Sequence, residues 1–462
     1  MKTKILLAFC CLLSIASFSQ DSIFQLKDYK YRTKGFRALE LQSSLTGQTD
    51  NYKQGSSPTQ KNSLIDLYPS YLNYTNISST DKRFHTSFIS LSPSFRSHVE
   101  GDGQNKVKGN NYQARLTWNF DDRFYRKNNW FLRLANNLYS RDEFTKEENI
   151  QSVTKTTLPG VDESLLLGFG KGRLEMIQDA QMALFILNDL KDEGLLTTLP
   201  NAALVNEFAQ LITEINNRRV FDSRKKRIFE LTQIDKFLRE KGLASTTDIR
   251  HFTIINDNWA LAFNAYRRSG SSWSLNLKPF AQIGKSRQTV TAPNFKTINE
   301  SEAKLFGIGP NLSYENQKPI NLKWQRGLGV SLSWQLARSE QKSKYVSGNT
   351  SQDNTLNTNQ QFADFSAFYA IGFYPNNRTV LNASLGIDAV KQKYTSGLPG
   401  NQIFLHPSFS FSTDYFISYK TRLTANLGLL YSYQHSTASS IFFNTTNAFH
   451  TGFSVGISHY FL

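Results

Sequence analysis

The chain of 462 residues has a formal net charge of +16, a mean hydropathy of −0.43 and 13% aromatic residues. The negative hydropathy excludes a bundle of transmembrane helices, which requires several runs of about 20 apolar residues. The aromatic content excludes a disordered chain, since disorder goes with few aromatic residues and low hydrophobicity. A large apolar surface is therefore buried in a chain whose average residue is polar.

The first 19 residues have the build of a cleavable secretory signal. Lys2 and Lys4 supply a positive start, residues 5–16 form an apolar run, and residues 17–19 form a small-x-small cleavage site. Its removal lowers the charge to +14 and leaves no cysteine, because both cysteines stand at positions 10 and 11. The sequence thus predicts an exported protein without disulfides, thiolate metal sites or a cysteine nucleophile.

Long stretches after the signal alternate apolar and polar residues, as strands with one apolar face do. In the clearest stretch, residues 322–336, Leu328, Val330, Leu332 and Trp334 alternate with glycine, serine and glutamine. At about 3.3 Å per residue, such a segment exceeds an ordinary strand and can cross a bilayer at a tilt. Similar segments recur over residues 36–141 and 258–461.

Short and long connections alternate between these segments. The short ones lie near residues 76–82, 121–129, 267–271, 316–321, 375–377 and 416–419; the long polar ones lie near 47–63, 98–109, 286–301, 339–359, 391–401 and 434–446. Up-and-down transmembrane barrels have short periplasmic turns and long external loops. The sequence therefore predicts an all-β transmembrane barrel of 14–16 antiparallel, up-and-down strands, with a soluble β-sandwich as the alternative.

Aromatic residues support the barrel. The predicted membrane girdle consists of tryptophans near short turns: Trp118, Trp130, Trp273 and Trp324. The predicted insertion signal at the end of the chain consists of Phe453, Tyr460, Phe461 and Leu462. This ending resembles the recognition signal of bacterial outer-membrane proteins, although here the aromatic residue is penultimate. The resemblance implies an integral protein of the Gram-negative outer membrane, with membrane lipid and the barrel-assembly machinery as partners.

A segment of helical periodicity interrupts the strands. Three apolar stripes lie within about residues 173–242, and Gly194 and Gly242 are predicted stops. The predicted domains are the signal (1–19), a first barrel part (20–170), a small α-helical insert (171–248) and a second barrel part (249–462). If residues 165–170 and 249–255 both cross, the count is sixteen, which we favour, and the helices are periplasmic. If neither crosses, the count is fourteen and the helices lie outside or within the lumen.

The surroundings of the insert resemble a family. Residues 165–173, Glu175, the pair Asp179-Ala180 and residues 217–224 are similar to uncharacterised Bacteroidota outer-membrane β-barrel proteins with a helical insertion. This resemblance implies the fold and no activity.

Motifs for catalysis or cofactor binding are weak. The glycine run 168–172 lacks the Lys-Ser/Thr pair of a phosphate-binding loop, and the seven histidines have no metal-ligand spacing. We predict no cofactor and no metal site. Asn447 and His450 can be fitted to a barrel-embedded lipid hydrolase, but so can residues of almost any barrel. We therefore predict that the chain is not an enzyme, with this hydrolase as the remaining alternative.

Six basic residues of the insert are candidate partner- or anion-binding residues: Arg218, Arg219, Arg224, Lys225, Lys226 and Arg227. Their groups suit phosphate or carboxylate of a periplasmic protein or of peptidoglycan. Export argues against nucleic acid as a partner. A solvated helix junction with local ion pairs is the favoured interpretation.

The polar face of the strands predicts the lumen wall, with these candidate selectivity residues: Arg115, Arg133, Lys278, Lys323, Arg422, Asp364 and Asp388. In an open lumen, this excess of positive charge favours anions. If the helices or residues 20–35 fill the lumen, the same residues are paired. The first functional hypothesis is a porin-like passive channel or transporter for small polar solutes, which would be anionic if the lumen is open. The second is an outer-membrane scaffold or assembly protein whose insert docks a periplasmic partner or the cell wall.

Overall fold

The computed structural model describes residues 24–52, 60–101, 106–217, 223–244, 249–261, 267–396, 400–418, 421–437 and 445–459. Several predicted features lie outside these residues: the signal over residues 1–19, the last three residues of the insertion signal (Tyr460, Phe461 and Leu462), and Arg218 and Arg219 of the basic run.

The described residues form seventeen strands in one antiparallel sheet, with a group of helices between the seventh and eighth strands. The strands are β1 (Thr33–Tyr52), β2 (Gln60–Ser79), β3 (Arg83–Gly101), β4 (Lys106–Tyr125), β5 (Trp130–Glu148), β6 (Val153–Thr157), β7 (Gly160–Met176), β8 (Arg268–Leu277), β9 (Phe280–Ala292), β10 (Phe295–Ile308), β11 (Pro310–Pro319), β12 (Trp324–Ser347), β13 (Thr350–Asn376), β14 (Thr379–Tyr394), β15 (Gly400–Ser418), β16 (Thr421–Ser436) and β17 (Thr445–His459). The helices are α1 (Gln178–Asp192), α2 (Ala202–Asn217), α3 (Ser223–Glu240) and α4 (Ile249–Leu261), and one turn of 3₁₀ helix covers Leu26–Asp28.

Three pairs of strand segments are halves of single crossings. β6 and β7 both pair with β5 on one side and with β9 on the other. β10 and β11 both pair with β12 and form one crossing in the same way. β8 pairs with β11 and β9 pairs with β10, so β8 and β9 also form one crossing. Pro159, Pro279 and Gly309 stand at the three interruptions, and proline cannot donate to the ladder. The described strands therefore make fourteen crossings, and the favoured count of sixteen is wrong.

The helical region is longer than predicted. β7 continues to Met176 and β8 begins at Arg268, so the helices occupy residues 178–261 rather than 171–248. The second barrel part does not begin at residue 249, because α4 lies there. His251, Ile255 and Trp259 recur at a spacing of four and are at most 1% exposed. That spacing places them on one face of a helix, which the strand prediction for residues 249–255 overlooked.

The predicted helix stops are confirmed. Gly194 and Gly242 follow α1 and α3 with φ angles of +67° and +66°, a backbone conformation that favours glycine. The amide of Gly194 donates to the carbonyl of Lys191, and the amide of Leu195 donates to the carbonyl of Leu190. These two hydrogen bonds form a Schellman motif, which satisfies carbonyls that the helix end leaves free.

The sheet encloses a lumen and presents an apolar outer face. Residues from β4 to β15 line one common cavity, which only a curled sheet allows. Leu328, Leu332 and Trp334 on β12 point away from that cavity and are 38–52% exposed. An apolar outer band around a polar interior is the arrangement of a transmembrane barrel. The predicted fold class, an all-β barrel with a helical insert, is confirmed.

The predicted girdle tryptophans lie on the outer face, but not at one level. Trp130 and Trp273 pack edge to face with ring centroids 5.6 Å apart, and Trp324 contacts Phe373 at 4.2 Å. β4 continues to Tyr125, so Trp118 lies further from its turn than predicted. Three of the four tryptophans therefore mark the level of the short turns.

The helices and the chain before β1 share one hydrophobic core at the turn end of the barrel. We call residues 24–32 together with the described residues 177–261 the cap. Phe24, Leu26 and Tyr29 are buried in this core with Ile177, and Leu322 of the barrel rim packs against it. None of the described helices is long and apolar enough to span a membrane. The cap is held by its own core and by the contact with Leu322 of the rim.

Replacing Phe208 by alanine should loosen the cap and leave the barrel intact. Phe208 on α2 is fully buried and stacks on Phe237 of α3 with centroids 5.2 Å apart. Loss of a buried phenylalanine costs about 3–5 kcal/mol. We expect faster hydrogen exchange in α1–α4 and unchanged heat-modifiable migration of the barrel on gels. The control is Phe252→Ala, since Phe252 on α4 is 38% exposed. Equal exchange in both variants would contradict this core.

Candidate functional site: the lumen and its cap

The cap is tied to the first half of the barrel rim. Asn217 at the end of α2 donates a hydrogen bond of 2.7 Å to Thr33 at the start of β1. Arg32 forms ion pairs with Asp81, in the turn between β2 and β3, at 2.7 Å and with Glu175 near the end of β7 at 2.9 Å. The chain entering β1 thus bridges β7 and the turn after β2.

The cap is also tied to the turn between β13 and β14. Arg378 in that turn lies 2.6 Å from Asp257 of α4. Its neighbour Asn377 donates to the side-chain oxygen of Asn258 at 2.7 Å, and Asn258 in turn donates to Asp189 of α1 at 2.8 Å. Because these contacts and those of Arg32 lie on well-separated parts of the rim, the cap spans the mouth of the barrel.

Arg267, the residue before β8, is a fully buried cation without a carboxylate partner among its hydrogen bonds. Its guanidinium donates to Gln325 of β12 at 2.8 Å and to Gln181 of α1 at 3.3 Å. It also donates to three carbonyl oxygens, those of Asn321, Leu322 and Trp324, at 2.5–3.2 Å. The ring of Tyr374 covers it at 4.5 Å. Burial lowers the pKa of Arg267 to about 10, so the group stays charged at neutral pH.

A buried carboxyl group links the chain before β1 to the helices. Thr213 of α2 donates to Asp179 of α1 at 2.5 Å, and the hydroxyls of Tyr29 and Thr213 lie 2.7 Å apart. Asn216 also donates to Asp179. Burial raises the pKa of Asp179 from 3.8 to about 6, and burial beside Asp179 raises the pKa of Tyr29. This network fixes Tyr29 inside the cap.

The lumen next to the cap is lined mainly by neutral polar groups. A cavity of about 720 Å³ is bounded by residues from β4 to β15. A second cavity of about 280 Å³ shares Asn137, Ser164 and Lys278 with it and extends away from the cap, towards Phe362 and Asp364. Polar side chains thus continue along the lumen.

Two arginine charges of the lumen wall are partly neutralised. Arg123 on β4 and Arg133 on β5 both lie 2.9 Å from the carboxylate of Asp121. Arg123 also donates to Ser272 and Arg133 to Ser274 on β8. The two guanidinium groups are therefore fixed against the wall and share one carboxylate.

Four predicted selectivity residues lie in the lumen. Arg133, Lys278 and Asp388 line the larger cavity, and Asp364 lines the smaller one. Asp364 accepts a hydrogen bond of 2.8 Å from Ser333. The structure thus brings together two cations and two carboxylates that are far apart in the sequence.

The other three predicted selectivity residues lie apart from these cavities. Arg115 lies on β4 with the same parity as Asp121, and Arg422 on β16 lies 3.4 Å from Asp414. Lys323 was wrongly assigned to the wall, because it stands exposed in the turn before β12, which begins at Trp324. The predicted excess of positive charge is accordingly reduced by pairing and by position.

The described part of the basic run forms local ion pairs. Lys225 is exposed at the start of α3, and the side chain of Arg224 is not described. Lys226 and Arg227 lie 3.7 Å and 3.9 Å from Glu230, which also accepts a hydrogen bond from Trp259 of α4. This pairing agrees with the favoured interpretation of a helix junction.

Asn447 and His450 do not form a constellation by themselves. They stand three residues apart on β17, and side chains at that spacing point to opposite faces of a strand. Within the described residues, no three histidine, cysteine, aspartate or glutamate side chains are grouped as metal ligands would be.

Sequence reasoning missed Arg267, Asp121 and α4. Arg267 and Asp121 lie in segments that the sequence predicts as short turns, and no local pattern shows that the partners of Arg267 lie on α1 and β12. In the structure, β4 continues past Asp121 to Tyr125. The period-four recurrence of His251, Ile255 and Trp259 was the one signal that could have revealed α4.

No protein-family model and no characterised protein sequence matches the chain. Among solved structures, the chain is similar to the outer-membrane expressed OmpT of Vibrio cholerae. The match has 8% sequence identity and a TM-score of 0.15, and covers 83% of this chain and 100% of the other. At that TM-score the likeness carries no argument about activity, and the barrel assignment rests on the strand pairing above.

The prediction that the chain is not an enzyme requires correction. It was wrong as an exclusion, because a match to an outer-membrane barrel such as OmpT does not separate catalytic barrels from passive ones. A fold does not determine activity. The exclusion is withdrawn.

The cap should become less stable as pH rises through the pKa of Asp179. Because that pKa is raised, the folded cap holds a proton between about pH 4 and pH 6 that the unfolded chain releases. The contribution of Asp179 to the free energy of unfolding is therefore fully present below about pH 4 and falls by about 3 kcal/mol between about pH 4 and pH 6. Hydrogen exchange of α1 and α2 across this range measures it.

Asp179→Asn should remove this part of the pH dependence, since an amide does not ionise. Asp192→Asn is the matched control, because Asp192 is an exposed aspartate at the end of the same helix. If the slopes of wild type and Asp179→Asn coincide, Asp179 is not the group that titrates.

Proposed function

We propose that this protein is a porin-like passive channel for small polar solutes in the outer membrane of a Gram-negative bacterium, closed at its periplasmic mouth by the cap. The observation that carries this proposal is the cap itself, which is fastened to separate turns of the rim beneath a polar lumen. A polar cavity continuous with the lumen serves solute passage, whereas a merely structural barrel needs no such space.

The connections support a periplasmic position for the cap. At the cap end, short turns such as residues 126–129, 320–323 and 377–378 follow the strands directly. At the opposite end β12 and β13 extend to 24 and 27 residues as one hairpin, closed by residues 348–349. Outer-membrane barrels have short periplasmic turns and longer external extensions. The resemblance to Bacteroidota outer-membrane proteins and the predicted export signal support the same location. The partners expected there are membrane lipid and, during insertion, the barrel-assembly machinery.

The ties of the cap suit a gate rather than a permanent plug. The ion pair of Arg378 with Asp257 is about two-fifths exposed on both sides, and such pairs contribute only about 0–1 kcal/mol. The contacts of Asn217 and Asn377 are single hydrogen bonds, worth about 1 kcal/mol each. Arg267 is the strong tie, because it holds α1, β8 and the turn before β12 together.

A docking role for the cap is the second candidate. Ile228, Ile249 and Phe252 are 57%, 80% and 38% exposed on α3 and α4. Exposed apolar side chains on a domain at the periplasmic mouth fit a scaffold that binds a periplasmic protein or peptidoglycan. The two functions separate in one variant: Ile228→Ser with Phe252→Ser removes docking and leaves channel conductance unchanged.

Releasing the cap should open the channel. In planar bilayers, we expect infrequent, brief openings for wild type. Arg267→Met keeps an apolar stem of similar length but leaves the carbonyls of Asn321 and Leu322 and two side-chain amides without this donor, whereas the carbonyl of Trp324 keeps the amide of Ile320. Each lost partner costs about 1–3 kcal/mol, so openings should be at least roughly tenfold more frequent. Retained heat modifiability of the barrel shows that the variant has folded.

Fixing the cap should close the same channel. The mature chain is predicted to hold no cysteine, so Asn258→Cys with Asn377→Cys introduces two thiols where a hydrogen bond of 2.7 Å now joins α4 to the rim. A short bismaleimide should abolish openings in the double variant and leave either single variant unaffected. Conductance that is equal in wild type, Arg267→Met and the cross-linked form would overturn the gate, and silence in all of them would overturn the channel.

A further inference from the structure

The wall of the larger lumen cavity carries a row of serine hydroxyls. Ser274 of β8, Ser313 of β11, Ser331 of β12 and Ser366 of β13 are direct cross-strand partners, one after the other. Asp388 of β14 is the next partner in the row. All five residues line the cavity. Because cross-strand partners point to the same face, the row forms one continuous hydrogen-bonding surface.

Three hydroxyls of this row, those of Ser274, Ser313 and Ser331, are held in place by their neighbours. The oxygens of Ser274 and Ser313 lie 2.8 Å apart, and Asn311 donates to Ser331 at 3.2 Å. Asn276 donates to Ser274 at 3.0 Å. A serine hydroxyl has one donor and two acceptor sites. Ser274 uses its sites on Asn276, Arg133 and Ser313, whereas Ser313, Ser331 and Ser366 retain capacity towards the lumen. The serines thus offer uncharged donors and acceptors, and Asp388 is the one charged residue of the row.

An aromatic ring lies beside the row. Phe368 has the same parity on β13 as Ser366 and is 40% exposed in the cavity. Its ring lies over Gly329, where a Cβ atom would come within 2.1 Å of it. Glycine at position 329 therefore allows the ring to lie on the wall. An apolar face among hydroxyls suits a ligand that combines C–H and O–H groups.

The charges near the row disfavour an ionic ligand. Arg123 and Arg133 share the one carboxylate of Asp121, Glu315 is paired with Arg268, and Asp388 and Lys278 supply one further charge of each sign. A charged solute loses hydration on entry and finds at most one unbalanced charge, from the two guanidinium groups on Asp121, in return. A neutral polyol exchanges its water hydrogen bonds for those of the serines at little net cost.

On the basis of the proposed channel, we infer that the serine row with Phe368 and Asp388 is a binding site for neutral saccharides. The hydroxyls of one or two sugar rings would lie against the row, with the carboxylate of Asp388 accepting from a pair of them and a C–H face on Phe368. A volume of about 720 Å³ is within the range of small-molecule sites.

The test uses three probes of one ring and different charge: glucose, glucuronate and glucosamine, with maltose as the larger neutral sugar. Binding to the full-length protein in detergent is measured by calorimetry, which needs no conductance. Passage is measured by swelling of liposomes that contain Arg267→Met. We expect glucose and maltose to bind and to pass at least roughly tenfold better than glucuronate or glucosamine.

Two phenylalanines of one strand give a matched pair of variants. Phe368→Ala removes the ring in the lumen and should weaken maltose binding roughly tenfold. Phe365→Ala removes a ring on the outer face, 38% exposed, and should leave binding unchanged. Ser331→Ala should weaken binding as well, since it removes one hydroxyl of the row without adding bulk.

The outcomes distinguish this inference from the channel itself. Equal binding and passage of all three monosaccharides, or preference for glucuronate, would overturn the saccharide site while the channel stands. Ion conductance of Arg267→Met without any sugar binding would do the same. Sugar binding in detergent that depends on Phe368, with no conductance in any variant, would support the site and overturn the channel.

Discussion

The buried guanidinium of Arg267 is the interaction on which the closed arrangement depends. The chain must leave the barrel after β7 and return at β8, and Arg267 stands at the return with donors to α1, to β12 and to the turn before it. Its charge is balanced by carbonyl and amide dipoles and by the ring of Tyr374. A buried charge that is stabilised only by dipoles is destabilised if any of these dipoles is lost. The position of the cap relative to the rim is therefore fixed by the groups that Arg267 contacts.

The fold follows from the sequence wherever one face of a strand meets lipid. Alternation of residues such as Leu328 and Trp334 with glycine and serine indicates a strand because only a period of two separates lipid from lumen. The predicted number of strands was wrong where a segment does not meet lipid. Ile249–Ile255 has β-branched residues that suit a strand, but it meets the cap core rather than lipid, and the burial of His251 and Trp259 makes it a helix. Tertiary contacts thus determined whether this segment forms a strand or a helix.

The site could be predicted only in part, because its chemistry is a matter of register. Arg133 and Asp388 were identified as lumen residues from parity alone, and they line one cavity. Arg123 and Arg133 can share Asp121 only because of the register between β4 and β5. A shift of one residue would turn the side chains of one strand to the other face of the sheet. The row from Ser274 to Ser366 likewise needs three correct pairings in succession. Sequence supplies the residue types, and pairing supplies their neighbours.

The distribution of apolar and polar contacts determines how the cap can move. Phe24, Leu26 and Tyr29 are buried among the helices, so residues 24–32 move with the cap, whereas Thr33 already belongs to β1. Apart from Leu322 and Ile77, the ties to the rim are polar, and polar ties exchange for water at a small net cost. The core inside the cap loses far more on exposure, since each fully buried large side chain contributes about 1.5–3 kcal/mol. Displacement as one body, hinged where the chain enters β1 and β8, is therefore favoured over unfolding of the cap.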